Sequence, residues 1–379
     1  MSTRLSIICI WICFITLLIL GIVMVASTGL CAHVGEGEDP ADFLRKQAFF
    51  GFIGVVVAVL VSNIDYHKYR NWVRFFWWAS TISLGCCFLP VIGMNINGES
   101  RWINLFVITF QPSEAAKCVL MLTLAHWYTT NREIAGTFWK GFVYPGVIFA
   151  IPLALILFEK DMGTAAALGM AGLCVMLVAG VRLWMLATSA MTGFMALIYM
   201  ATSSHNRMER IFAWFNPEAH ARGVGRQQWI SQIAFENGGV SGVGLGNSLH
   251  KHGSLPFAHT DFIYAIVGEE WGFIGATGVL MLFTMLTMFG IMLALQIQDT
   301  FGRLFAVGLV CTIFCPAALN MMVVTSILPN TGLPLPFISY GGTNLVLTIL
   351  AIGLLTGIQR HTPLIRQNYW PIRRLKDTK

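Results

Sequence analysis

Ten apolar runs, each close to the length that crosses a bilayer, set the terms for this chain. They fall at about 5–27, 47–63, 75–93, 113–128, 141–158, 163–181, 184–201, 262–293, 304–327 and 343–359. A hydrocarbon core about 30 Å thick needs about 20 apolar residues per helix. In that solvent every backbone polar group must be satisfied within the protein, so a chain of this pattern folds as helices. The expectation is an all-α, polytopic integral membrane protein with about ten transmembrane helices. Only 11% of its residues are charged, well under half of a soluble domain's usual share. The chain reads as one transmembrane domain over residues 1–379. The run from Leu5 to about Ala26 is too long for a signal h-region and is expected to be a retained first helix. The fourth run opens with Gln111-Pro-Ser-Glu114 and carries Lys117, which makes it the least regular span. The eighth is long enough to tilt or to extend past the membrane.

An even number of spans places both termini on one side. Arg4, the loop with Lys68, Arg70 and Arg74, the loop with Arg132 and Lys140, then Arg182 and Arg303 share that side with the tail. Residues 360–379 form a basic tail holding six of the 24 Lys and Arg. The positive-inside rule makes this side the cytoplasm. The net charge of +6 is therefore a membrane signature, not a nucleic-acid footprint. A large extracytoplasmic loop, about 202–261, precedes the eighth span. Its arginines do not contradict the orientation, because long loops translocate largely regardless of charge. Most of the nine cysteines sit inside apolar runs and no C-x-x-C occurs, so packing is their expected role.

The unusual polar residues collect on the outer side, which marks the functional face. Arg45 and Lys46 precede the second span, and Asn95-Ile-Asn-Gly-Glu-Ser-Arg101 follows the third. Glu114 and Lys117, three apart, can pair on one helix face, as a functional pair or as a structural one. Glu159 and Asp161 flank Lys160 in a very short turn, where Asp161 can also cap the sixth span. Arg207 and Arg210 present two guanidiniums at i, i+3, a fork suited to phosphate oxygens or simply a solvated helix face. Gln227–Phe235 is expected as an amphipathic helix lying on the outer leaflet. Gly242-Val-Gly-Leu-Gly246 has the wrong spacing for a dinucleotide fingerprint and reads as a tight loop with positive φ. His250, His252 and His259 lack metal spacing. Asp261, in His259-Thr-Asp-Phe262, sits where the long loop meets the eighth span. It is either an N-cap or the reacting carboxylate of a membrane enzyme.

In this order the motifs resemble the SEDS family (shape, elongation, division and sporulation), which contains RodA, FtsW and SpoVE. The matching pieces are Asn-Gly-x-x-Arg101-Trp-Ile, Gln111-Pro-Ser-Glu114-x-x-Lys117 and Glu159-Lys-Asp161-Met-Gly-Thr. Further on come Gly244-Leu-Gly-Asn-Ser-x-x-Lys251, Leu-Pro-x-x-His-Thr-Asp261 continuing to Gly-Glu-Glu270, and Leu-Pro-Phe-Ile-Ser339-Tyr-Gly-Gly-Thr. The likeness spans about residues 5–360, and Gly-Leu-Gly-Asn-Ser looks like the FtsW division branch. Three departures stand out. Lys160 replaces the usual proline, Thr343 replaces a serine, and Lys46 stands where an arginine is common. Lys160 leaves the geometry of its turn open.

The resemblance implies a peptidoglycan glycosyltransferase of the bacterial inner membrane, acting at the division septum. Such an enzyme polymerises lipid II, an undecaprenyl-pyrophosphate disaccharide pentapeptide, into β-1,4 glycan strands. It implies Asp261 as general base, with a pKa raised by its hydrophobic surroundings. Arg101, Lys117, Arg207, Arg210 and Lys251 are the cations for the pyrophosphate, the first two foremost. Glu114 and Asp161 orient Lys117 or the acceptor sugar, and Ser339 belongs to the substrate-binding set. No cofactor is implied with certainty; a divalent cation, Mg or Mn, bridging phosphates and carboxylates is compatible but not indicated by spacing. A class B penicillin-binding protein transpeptidase and other division proteins are the implied partners, alongside membrane lipids. The rival readings are a lipid II flippase or transporter, and a non-catalytic division scaffold.

Overall fold

The computed structural model describes residues 3–29, 41–89, 92–96, 99–104, 109–203, 205–251 and 259–362. The basic tail beyond Thr362, His252, and parts of the Asn95 and Leu255 motifs lie outside the described residues. Ten long helices occupy the ten expected spans: α1 (Thr3–Gly29), α2 (Asp42–Ser62), α3 (His67–Cys86), α4 (Pro112–Thr130), α5 (Tyr144–Phe158, entered through a π-turn at Phe138–Val143), α6 (Met162–Ala179), α7 (Leu183–Thr202), α10 (Ile263–Gln296), α11 (Thr300–Val324) and α12 (Gly342–His361). Two shorter helices, α8 (His205–Phe215) and α9 (Arg226–Gly238), lie in the long loop before α10. Eight of the ten are long and apolar enough to cross a membrane on their own. The other two, α3 and α4, pack against each other.

Helix α11 forms the centre of the bundle, against α4, α6, α10 and α12. Around it, α1 packs on α10 and α2 runs along α12. The α2–α12 seam shows why the sequence fits there. Gly54, Ala58 and Ser62 recur every four residues and face Ile349, Gly353 and Gly357 in turn; a Cβ on Gly353 would lie 2.5 Å from the Ala58 Cα. In lipid there is no hydrophobic drive between helices, so small residues that admit close backbone approach do this work.

Three features depart from the sequence expectation. A small antiparallel sheet, β1 (Gly93–Ile96), β2 (Glu99–Asn104) and β3 (Thr109–Phe110), projects between α3 and α4. Helix α9 covers the stretch expected to lie on the outer leaflet, but it is packed into the protein. Gln228, Ile230, Ser231 and Ala234 are buried. Gln228 Nε2 donates to the Leu328 carbonyl (2.8 Å) and Ser231 Oγ to the Val324 carbonyl (2.9 Å), which ties α9 to the end of α11. Exposed apolar side chains of the loop lie instead on α8, at Phe212 and Phe215, and in the glycine-rich stretch, at Val240, Leu245 and Leu249.

The third concerns α10. Its 34 residues would measure about 51 Å at ~1.5 Å per residue, too long for one straight span. It is broken at Gly272 (φ 66°, ψ −162°). The glycine-rich loop before it repairs the break. Val243 and Gly244 donate to the carbonyls of Glu269 and Glu270 (both 3.0 Å), and Phe273 and Ile274 donate to those of Gly239 (2.9 Å) and Val240 (3.2 Å). Irregular backbone inside a membrane protein persists only where protein satisfies it in this way. Gly242, Gly244 and Gly246 all have positive φ, as the tight-loop reading required.

Candidate functional site

The cavity beside Asp261 encloses about 370 Å³. Arg101 from β2, Gln111 at the head of α4, Asp161 at the head of α6, Arg210 from α8 and Asp261 before α10 all line it, with Asn330 from the α11–α12 connection. Two guanidiniums and two carboxylates thus meet from four separate parts of the chain. Arg101 Nη2 donates to the Lys160 carbonyl (2.8 Å), and its Nη1 lies 3.9 Å from Asp161 Oδ2. Asp161 Oδ1 accepts from the Thr164 amide (2.9 Å), the capping bond expected from the sequence. Behind this pair Glu159 is buried beside the Cys87 thiol, and burial pushes its pKa up to about 8.

Asp261 does not cap its helix. Helix α10 starts after Phe262 with no side-chain cap, and Asp261 Oδ1 accepts instead from the Thr260 hydroxyl (3.0 Å). Burial raises the Asp261 carboxyl to about 6, while the Thr260 bond and the Arg210 charge pull the other way. Its backbone is fixed from below. Asn320, buried near the C-terminal end of α11, donates to the carbonyls of Asp261 (2.7 Å) and Leu333 (2.6 Å). Sequence reading passed over Asn320, although a lone amide in an apolar helix is a signal in its own right.

Ser339 serves the same scaffold and not the cavity. Its hydroxyl donates to the Thr260 carbonyl (2.5 Å) and accepts from the Leu335 amide (2.7 Å), so both capacities are spent on joining two loops. Gln47 completes the join by donating to the Ser339 carbonyl (3.2 Å). Ser339 is thus a positioning residue.

Three expected phosphate-binding cations are engaged elsewhere. Lys117 pairs with Glu114 at 2.7 Å, as its i, i+3 spacing suggested, but the pair is buried among α4, α11 and α12. It sits one helical turn deeper than Gln111 and Asn344, which line the cavity. Lys251 is buried against Glu270 (2.9 Å) and Ser27 (3.0 Å), where it ties the loop and α1 to the broken part of α10. The expected Arg207–Arg210 fork is split. Arg207 donates to the Met200 carbonyl at the end of α7 (3.0 Å), and Arg210 alone reaches the cavity. Among the described residues no cluster of three His, Cys, Asp or Glu is placed to hold a metal ion.

Two further expectations concern this scaffold. Lys117→Met leaves Glu114 buried without a counter-charge and is expected to lower stability by about 3–5 kcal/mol. Adding Glu114→Gln should restore most of the loss, as read by thermal unfolding in detergent. The second is Lys160→Pro. Lys160 has φ +66°, and its amide donates to the Leu157 carbonyl (3.0 Å). Proline can meet neither condition, so the residue usual in the family at this place is expected to cost about 3 kcal/mol or more here. It should also displace the Lys160 carbonyl that holds Arg101. Lys160→Gly, which tolerates the angle, should keep both stability and activity.

The family model described as cell cycle protein, FtsW/RodA/SpoVE, matches residues 7–364. The chain belongs to this family. A protein named probable peptidoglycan glycosyltransferase FtsW, from Trichlorobacter lovleyi, is 37% identical over 338 residues, 89% of each chain. Stage V sporulation protein E of Bacillus subtilis is 35% identical over 92% of this chain and 96% of its own. Among solved structures, a chain from a study titled "Structural coordination of polymerization and crosslinking by a peptidoglycan synthase complex" superposes with TM-score 0.76 at 25% identity, covering 93% of this chain and 96% of that one. The rod shape determining protein RodA of Thermus thermophilus shares the fold, with TM-score 0.68 at 24% identity over 93% and 95% of the two chains. Family membership thus agrees with the ten-helix layout and with the motifs from which the site was built.

Proposed function

We propose that this chain is a peptidoglycan glycosyltransferase that polymerises lipid II into β-1,4 glycan strands during cell division. The observation that carries the reading is the meeting of Asp261 with Arg101 and Arg210 in one cavity, within a family whose relatives bear that enzyme name. In the reaction Asp261 takes the proton of the acceptor 4-hydroxyl, whose oxygen attacks the anomeric carbon of the growing strand. The bond to the lipid pyrophosphate breaks with inversion, from α to β, and the pyrophosphate leaves. Arg101 and Arg210 stabilise the charge on that leaving group, and Asp161 keeps Arg101 in place. A carboxyl near 6 is a workable base at neutral pH, because it is ionised yet still basic.

On this reading the cavity faces outward, both termini are cytoplasmic, and the protein works at the septum. The partner is a class B penicillin-binding protein that cross-links the strands. The related chain from the peptidoglycan synthase study supports a paired arrangement. The test is lipid II polymerisation by the purified chain together with its transpeptidase. Glycan strands that grow as lipid II is consumed are the expected result. Intact lipid II carried across a vesicle membrane without polymer would replace this reading with transport.

A further inference from the structure

A larger cavity, about 430 Å³, lies at the other end of the bundle. Helix α4 joins the two sites: Gln111 at its head lines the Asp261 cavity, and Asn131 at its end lines this one. The walls come from α3, α4 and α5. Trp77, Trp78, Trp127 and Tyr144 make them aromatic, with Trp127 stacked on Tyr144 at 4.7 Å between centroids. Val73, Leu124 and Ile148 add apolar surface. Tryptophan and tyrosine in this setting are the residues of a membrane interface.

The polar groups share one character. Arg74 lines the cavity and has no hydrogen-bond or ion-pair partner among the described residues. His126 Nδ1 and Trp127 Nε1 are buried without a partner among the described residues. Among the described residues no Asp or Glu lines the cavity, and the charge they bring to it is positive. Arg70 stands one turn before Arg74, bonded to Thr130 (3.4 Å). A free guanidinium suits a phosphate oxygen, and an indole N–H needs an acceptor. The aromatic walls suit an apolar chain and not a fully hydrated ion.

We infer that this cavity is a binding site for an anionic phospholipid of the surrounding leaflet, its phosphate held by Arg74 and its glycerol and upper acyl region lying against the Trp77–Trp127–Tyr144 wall. On the orientation proposed above the leaflet is the cytoplasmic one. The site shares no residue with the Asp261 cavity, so lipid binding and polymerisation can be read separately.

The test is native mass spectrometry of the whole purified chain with phosphatidylglycerol or phosphatidylcholine. Wild type is compared with Arg74→Gln and Arg74→Lys. One basic contact with an anionic lipid should favour phosphatidylglycerol by about fivefold. Arg74→Gln should lose that preference and Arg74→Lys should keep it. A photoactivatable phosphatidylglycerol should label α3, α4 or α5 near the cavity. An unchanged preference in Arg74→Gln, labelling confined to other helices, or displacement of the lipid by inorganic phosphate at millimolar concentration would overturn the assignment. Arg74 is exposed and makes no hydrogen bond or ion pair with the described residues, so its variants should fold, and a monodisperse elution profile checks that they do.

Discussion

Asp261→Asn is expected to lower the rate of lipid II polymerisation by about 10²–10⁴-fold, the contribution of a positioned general base. The variant should otherwise be sound. The amide keeps the size of the side chain and an oxygen to accept from the Thr260 hydroxyl, and the Asn320 contact is to backbone. Its thermal transition at neutral pH should therefore be at least as high as that of wild type, since the amide removes a buried charge, and lipid II should still bind. The wild-type rate should rise with pH through about 6. Below that value the folded carboxyl holds its proton and cannot accept another; above it the base is ionised. Polymer formation by Asp261→Asn at the wild-type rate would remove Asp261 as the base. A flat rate between pH 5 and 7 would count against an ionising carboxyl in the rate-limiting step.

A large stability effect is expected at Gly242. A Cβ there would lie 2.1 Å from the Glu270 carbonyl oxygen, and φ is +79°. Backbone strain and collision act together, so Gly242→Ala should lose on the order of 3–5 kcal/mol. Gly246 separates the two causes. Its φ is +84°, yet among the described residues nothing lies within 4 Å of an added Cβ. Gly246→Ala should then cost only about 1–2 kcal/mol, the strain alone. Thermal unfolding of both variants in one detergent makes the comparison. Equal losses would mean that the crossing at Gly272 is looser than its geometry indicates.

The ten spans were legible because an apolar run of membrane length has few other fates. The capping role of Asp161, the Glu114–Lys117 pair and the positive-φ glycines were legible too, since each depends on neighbours along the chain. What escaped depends on neighbours across it. Gln228 and Ser231 read as the polar side of a surface helix, yet they face carbonyls freed at the end of α11. Lys251 and Ser339 belong to recognisable motifs, but motif membership does not tell whether a group faces the cavity or holds the fold around it. The β1–β3 strands are short and polar, without the alternation that marks a strand. Lys160 shows the opposite case. Its departure from the family's proline was visible in sequence, and only the backbone angle gave the departure a meaning.

The paired break in α10 bears on how the chain is made. Residues 239–244 leave the ribosome before Gly272 does, so their free amides and carbonyls are in place when the interrupted helix arrives. The two pieces can close on each other before α11 or α12 has been synthesised. A helix with a gap in its hydrogen bonding would otherwise reach the lipid unprotected. The glycine loop thus acts as an escort within the same polypeptide, supplied in advance of the segment that needs it.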